Sequence, residues 1–156
     1  MKRQTDNRRL AREKIRLAFA DVRLEDGISL RQARAIDDNA DADTIEQVRN
    51  EDEAEDWSRI PLAALQKYND TLHFFDAKGM RFHLPAFMIA MLSGEIGPSI
   101  VYPLTHLDDW SKKKFCELSI EQRQAVRAFL LELEKDPAFE WEKLEISDAL
   151  KSYWKE

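Results

Sequence analysis

Cys116 is the only cysteine in this chain of 156 residues, and it follows Lys112, Lys113 and Lys114, with His106 ten residues upstream and Asp108 close by. A cysteine nucleophile needs a neighbouring cation or base to favour the thiolate, and these residues are the ones on hand. No family-type cysteine signature surrounds the position, so Cys116 beside Phe115 reads first as a small buried side chain. A lone cysteine forms no internal disulfide, which points to a reducing, cytoplasmic setting.

The three histidines, His73, His83 and His106, raise the second possibility, a zinc site. None of them has the compact H-x-x-x-H or C-x-x-C spacing that would support it, so no metal and no cofactor are expected. Acid–base catalysis could draw on Asp37-Asp38 or Asp108-Asp109, but adjacent acids on one element point in different directions. The run S-G-E-I-G-P-S around Gly94 lacks the Gly-Lys-Ser/Thr of a phosphate loop. These residues assign no catalytic group.

Charge carries more information. The formal net charge is −6, yet residues 1–36 are net basic, and residues 37–56 hold ten carboxylates against one arginine, Arg49. Such an acidic block suits the steering of a basic protein partner, with Trp57 or Trp110 as an aromatic anchor. The nominated binding residues are Asp37, Asp38, Glu51, Asp52, Glu53, Glu55, Asp56 and Trp57. Arg8, Arg9, Arg12, Arg16 and Arg23 could meet a nucleic acid backbone, but a pI near 5.2 argues against it. That basic face is better read as solvated or paired with the acidic block.

The elements that must position these groups are mostly helices. Hydrophobic residues make up 44% and charged residues 35%, and four glycines are too few for the turns of an all-β fold. Ala11, Ile15, Ala18, Phe19 and Val22 recur at helical spacing within about 8–22. Ser29 with Gln32, and Ser119 with Gln122, form capping boxes, the second opening a helix with Val126, Phe129, Leu130 and Leu133 on one stripe. Asp43 caps a short helix around Ile45 and Val48, and Ile146, Ala149, Leu150 and Tyr153 predict a closing helix.

Between Thr71 and Leu84 the pattern changes to period two, which predicts a β-hairpin with Ala77-Lys78-Gly79 as its loop and Gly79 at positive φ. That register sets Phe74 opposite Phe82 and His73 opposite His83. Pro85 then starts an apolar helix, AFMIAML, which stops near Gly94. Gly94 to Asp109 reads as an irregular connection with a short strand at Ile100 to Tyr102. The expected fold class is therefore mainly α (α+β), one domain over 1–156 with a small hairpin on a buried helix, a flexible 1–7 and an acidic loop at 37–56. No apolar run approaches the ~20 residues of a membrane span, and the basic N-terminus has no apolar signal core behind it.

The stretch LHFFDAKGMRFHLPAFM, with Trp57, Ile60 and Pro61 upstream and FCELSIEQRQAVRAFL downstream, resembles an uncharacterised bacterial domain family of unknown function. The likeness runs from about Leu10 to Leu133 and is most specific in FFD-x-x-G-x-RF-x-LPAFM. It implies a bacterial source and a shared fold, and brings no catalytic residues with it. Together these observations favour a non-enzymatic protein-binding role, such as an immunity-type protein masking a basic partner. The alternative is an enzyme with its site in the 94–116 region, using His106 or Cys116. The oligomeric state is not encoded in any of these patterns.

Overall fold

A computed structural model describes residues 2–156. Among them lie nine α-helices: α1 (Lys2–Ala18), α2 (Leu30–Asp37), α3 (Ala42–Val48), α4 (Leu62–Lys67), α5 (Ala77–Leu92), α6 (Val101–Thr105), α7 (Asp109–Lys112), α8 (Ile120–Lys135) and α9 (Lys143–Lys151). Single 3-10 turns at Arg49–Glu51, Trp57–Arg59, Leu72–Phe74, Lys113–Phe115 and Pro137–Phe139 join several of them. No strand occurs among the described residues, and none of their helices is long and apolar enough to cross a membrane.

The capping boxes act as the sequence indicates. Ser29 and Gln32 exchange side-chain and backbone hydrogen bonds at the start of α2, and Ser119 and Gln122 do so for α8. The stripe of α8 buries Ala125, Val126, Phe129, Leu130 and Leu133, and α1 lays Ala11 and Ile15 across it. On its other flank α8 meets α9, whose Ile146, Ala149 and Leu150 are buried. Trp154 closes that end, its indole N–H donating to the Leu104 carbonyl at 2.8 Å. Within 37–56, α3 and the turn after it give the acidic segment regular structure, with Asp41 rather than Asp43 as the cap.

The hairpin is overturned. Leu72–Phe74 is a 3-10 turn, and α5 starts at Ala77, well before Pro85, with Asp76 as its N-cap accepting from the Gly79 N–H at 2.8 Å. Apolar residues at every second position also satisfy a helix when that helix is buried on all sides. Met80, Phe82, Leu84, Phe87, Met88 and Leu92 are all buried along α5, and so is His83. Pro85 therefore sits inside the helix, where it removes the donor that the Arg81 carbonyl would otherwise receive. Near its predicted stop, α5 ends at Leu92 with Ser93 as its C-cap, and Gly94 takes the positive φ of 72° that a C-terminal cap favours. The strand at 100–102 is likewise absent, because Val101 opens α6.

Gly79 has a different role from the turn residue the hairpin required. A Cβ there would lie 2.6 Å from the Ile28 carbonyl oxygen and 2.9 Å from the Asp76 carboxylate. Its partner in this approach is Gly27, whose added Cβ would sit 2.8 Å from the Gly79 nitrogen. In an open helix, alanine is favoured over glycine by about 1 kcal/mol. Here the backbone contact reverses the sign, and Gly79→Ala is expected to destabilise the protein by about 1–3 kcal/mol, as overpacking does. A denaturant midpoint equal to or above that of the wild type would show that the 24–28 loop yields freely.

Candidate functional site

The 3-10 turn Leu72–Phe74 leaves carbonyls that no neighbouring strand can take, and Lys114 takes them. Its ammonium donates to the carbonyls of His73 and Phe75, the latter at 2.8 Å, while lying 4.1 Å from the centre of the Trp110 ring. Burial holds the Lys114 ammonium below the usual lysine pKa range. The same clamp borders a groove of about 710 Å³ lined by Ile28, Ile36, His73, Phe74, Phe75, Trp110 and Lys113. Asp76 ties the Ile28 segment to the start of α5, accepting from the Ile28 N–H at 2.9 Å as well as capping α5. Phe74 is only partly buried and lines this groove.

His73 carries the site beyond the groove. Its ring meets Tyr102 edge-on at 5.6 Å, and Tyr102 stacks on His106 at 3.7 Å with an interplanar angle of 16°. Partial burial, helped by the Lys114 charge, lowers the His73 pKa and favours the neutral ring. Tyr102 and His106 also line a second cavity of about 300 Å³, together with Trp141, Glu142 and Glu145. Trp110, His73, Tyr102, His106 and Trp141 thus form an aromatic strip across two concavities, joined by the His73–Tyr102 and Tyr102–His106 ring contacts.

This arrangement redistributes the candidate chemistry. The hairpin face that would have paired His73 with His83 does not exist: His83 is in the core, whereas His73 and His106 flank Tyr102. Among the described residues no group of three or more His, Cys, Asp or Glu side chains is placed to hold a metal ion. Cys116 is exposed, contrary to the expectation of burial. Asp108 is spent on capping the Ser111 N–H at 2.7 Å, and no hydrogen bond joins it or His106 to Cys116 among the described residues.

Eight of the ten carboxylate residues of the acidic block stay exposed, while Asp52 and Glu53 are partly buried and several of the ten are tied into the fold. The Asp52 side chain is 3% exposed, paired with the Arg31 guanidinium at 2.6 Å and the Arg31 N–H at 2.8 Å. Glu51 lies 3.7 Å from the same arginine. Glu53 accepts from the N–H groups of Glu55 and Asp56, Asp56 accepts from the Ser58 N–H, Glu55 faces Arg23 at 3.4 Å, and Asp37 faces Arg34 at 3.5 Å. Arg49 reaches back to the carbonyls of Glu25 and Gly27. Trp57 is buried, its indole N–H donating to the Phe19 carbonyl at 2.7 Å. None of the eight nominated residues lines the groove; Asp37 and Asp38, both exposed, directly follow its Ile36 in the chain.

Trp110 was visible in the sequence as an anchor, whereas Tyr102 and Trp141 were not singled out. Trp141 stands in the polar run FEWEKLE with no apolar periodicity around it, and that isolation was the available signal. A family model described as a family of unknown function, DUF6714, matches residues 7–156. No curated protein and no solved structure matches the chain.

Proposed function

The chain belongs to DUF6714, a family of unknown function, and from that premise we propose that it is a cytoplasmic, non-enzymatic protein whose aromatic strip docks a basic protein partner. The observation that carries this reading is the exposure of the strip's largest side chains. Trp110, Tyr102 and Trp141 remain 60%, 55% and 92% exposed, although each would gain by leaving water. Tryptophan and tyrosine in concave, connected positions are the residues on which protein contacts concentrate their energy. The net charge of −6, with exposed Asp37 and Asp38 following Ile36 of the groove in the chain and Glu142 and Glu145 in the second cavity, favours a cationic partner over an anionic one. An immunity-type role, in which the strip covers a basic surface, is the most specific form of this reading.

The test compares proteins that the immobilised chain retains from its source cells, quantified by mass spectrometry, for three versions of the protein. In the combined variant Tyr102→Ala, Trp110→Ala and Trp141→Ala the partner's affinity should fall by about 100-fold, since two or three hot-spot truncations each exceed roughly 1–2 kcal/mol. Neutralising Asp37 and Asp38 to Asn should slow association and flatten its salt dependence, with dissociation nearly unchanged. The effect mimics added salt, whose screening length falls from about 10 Å at 0.1 M to about 3 Å at 1 M. Retention of the same proteins with unchanged affinity by the triple variant would refute docking at the strip.

A further inference from the structure

We infer that the cavity between α6 and the start of α9 is a socket for an arginine side chain of the docked protein, a proposal that rests on the docking reading above. The walls are aromatic faces and carboxylates: the stacked Tyr102 and His106, the exposed Trp141, and Glu142 and Glu145. A cation over a ring face and against a carboxylate gains from both, most of all where water is partly excluded.

Two observations show that the cation is missing from the chain itself. First, Glu142 Oε2 is closed off from water and has no hydrogen-bond partner. A carboxylate oxygen in that position is costly until a donor reaches it. No lysine or arginine among the described residues forms an ion pair with Glu142 or Glu145. Second, other aromatic rings of this protein already have a cation. Lys114 covers Trp110, Arg123 lies 4.4 Å from the Tyr153 ring centre, and Arg31 and Arg34 flank Tyr68. Among the described residues Tyr102 and Trp141 have none, although they share a cavity with two carboxylates.

Arginine fits this socket better than lysine. Its planar guanidinium stacks on rings and presents a fork of N–H donors that matches a carboxylate, whereas an ammonium is a compact, strongly hydrated charge. The cavity, at about 300 Å³, has room for that side chain and its flanking backbone.

The experiment is an NMR titration of the whole chain with Nα-acetyl-arginine N-methylamide, followed at the Trp141 indole N–H resonance. The citrulline analogue, a neutral isostere, and the lysine analogue serve as controls. A saturable shift at Trp141 is expected with the arginine probe at millimolar concentration. Binding should be weaker by about tenfold for citrulline and at least about threefold for lysine. Glu142→Gln should weaken the arginine probe by about fivefold with the rest of the spectrum unchanged, and Trp141→Ala, followed instead at the backbone amides of Tyr102 and His106, should abolish binding. Equal binding of citrulline or lysine, a shift centred on Trp110 instead, or indifference to Glu142→Gln would each overturn the socket. The two readings fail separately. If the probe leaves Trp141 unmoved while the strip variants still lose the partner, the socket is wrong and docking stands. If the probe binds as expected but the triple variant keeps its partner, docking at the strip is wrong.

Discussion

Phe129→Ala is expected to lower the stability of the protein by about 3–5 kcal/mol, the range for removing a fully buried aromatic side chain. Phe129 is 0% exposed, on the buried stripe of α8, a helix that packs against both α1 and α9. Helices held by their packed flanks cannot close the space left by its ring without losing other contacts, and that residual cavity adds to the lost transfer free energy. Gln124→Ala, on the exposed face of the same helix, should stay within roughly 0.5 kcal/mol and controls for helix propensity. Urea melts of the three proteins at neutral pH decide the matter. A loss below 1 kcal/mol for Phe129→Ala would place the ring at the edge of the core.

That α8 could be read so directly is due to local signals that agree with one another. A capping box, a single apolar stripe and the Asp136-Pro137 stop all specify the same helix. The 71–84 region has no such agreement. Leu72, Phe74, Phe82 and Leu84 alternate with polar or aromatic neighbours, and a strand with one wet face would show the same string. The deciding facts were Asp76 as a cap and the burial of His83 on the nominally polar side, which depend on what packs around α5. Pro85 misled for a related reason, since its preference for a first turn is outweighed by tertiary packing on every side.

The candidate site was less legible than the fold. The acidic block is a strong departure in composition, but spacing along the chain does not show that Asp52 pairs with Arg31 or that Trp57 bonds to Phe19. The strip brings together residues from 73 to 141, and its continuity depends on the His73–Tyr102 contact between segments far apart in sequence. Lysine stacked on tryptophan is equally invisible in a string, because Trp110 and Lys114 are neighbours on a helix–turn surface only after α7 and the following turn form.

His83 gives the second large expected effect, a loss of about 3 kcal/mol as pH falls from about 6.5 to 4. The ring is fully buried, stacked on Phe75 at 4.4 Å, and its Nδ1–H donates to the Gly79 carbonyl at 2.7 Å. A carbonyl only accepts, so the neutral ring carries its proton on Nδ1 and leaves Nε2 without a partner in the core. Burial therefore pushes the pKa down from 6.5 to about 4, against the opposing pull of the Gly79 carbonyl and the carboxylates of Asp52 and Asp76, with Arg49 adding slightly to the depression. In the unfolded chain the ring takes up its proton near 6.5. Between the two values the unfolded state binds more protons than the folded one, so this contribution is complete above 6.5, falls through the interval and is exhausted below about 4. At 1.36 kcal/mol per unit, that interval amounts to about 3 kcal/mol. Carboxylate titration overlaps it, so the measurement is a difference: stability of the wild type minus that of His83→Phe, by urea melts at half-unit steps from pH 7.5 to 3.5. The difference should fall with acidification across the interval and then level off, whatever its value at pH 7. A difference that stays flat from 6.5 to 4 would mean that His83 titrates normally in the folded protein and that its site beside Phe75 is open to water.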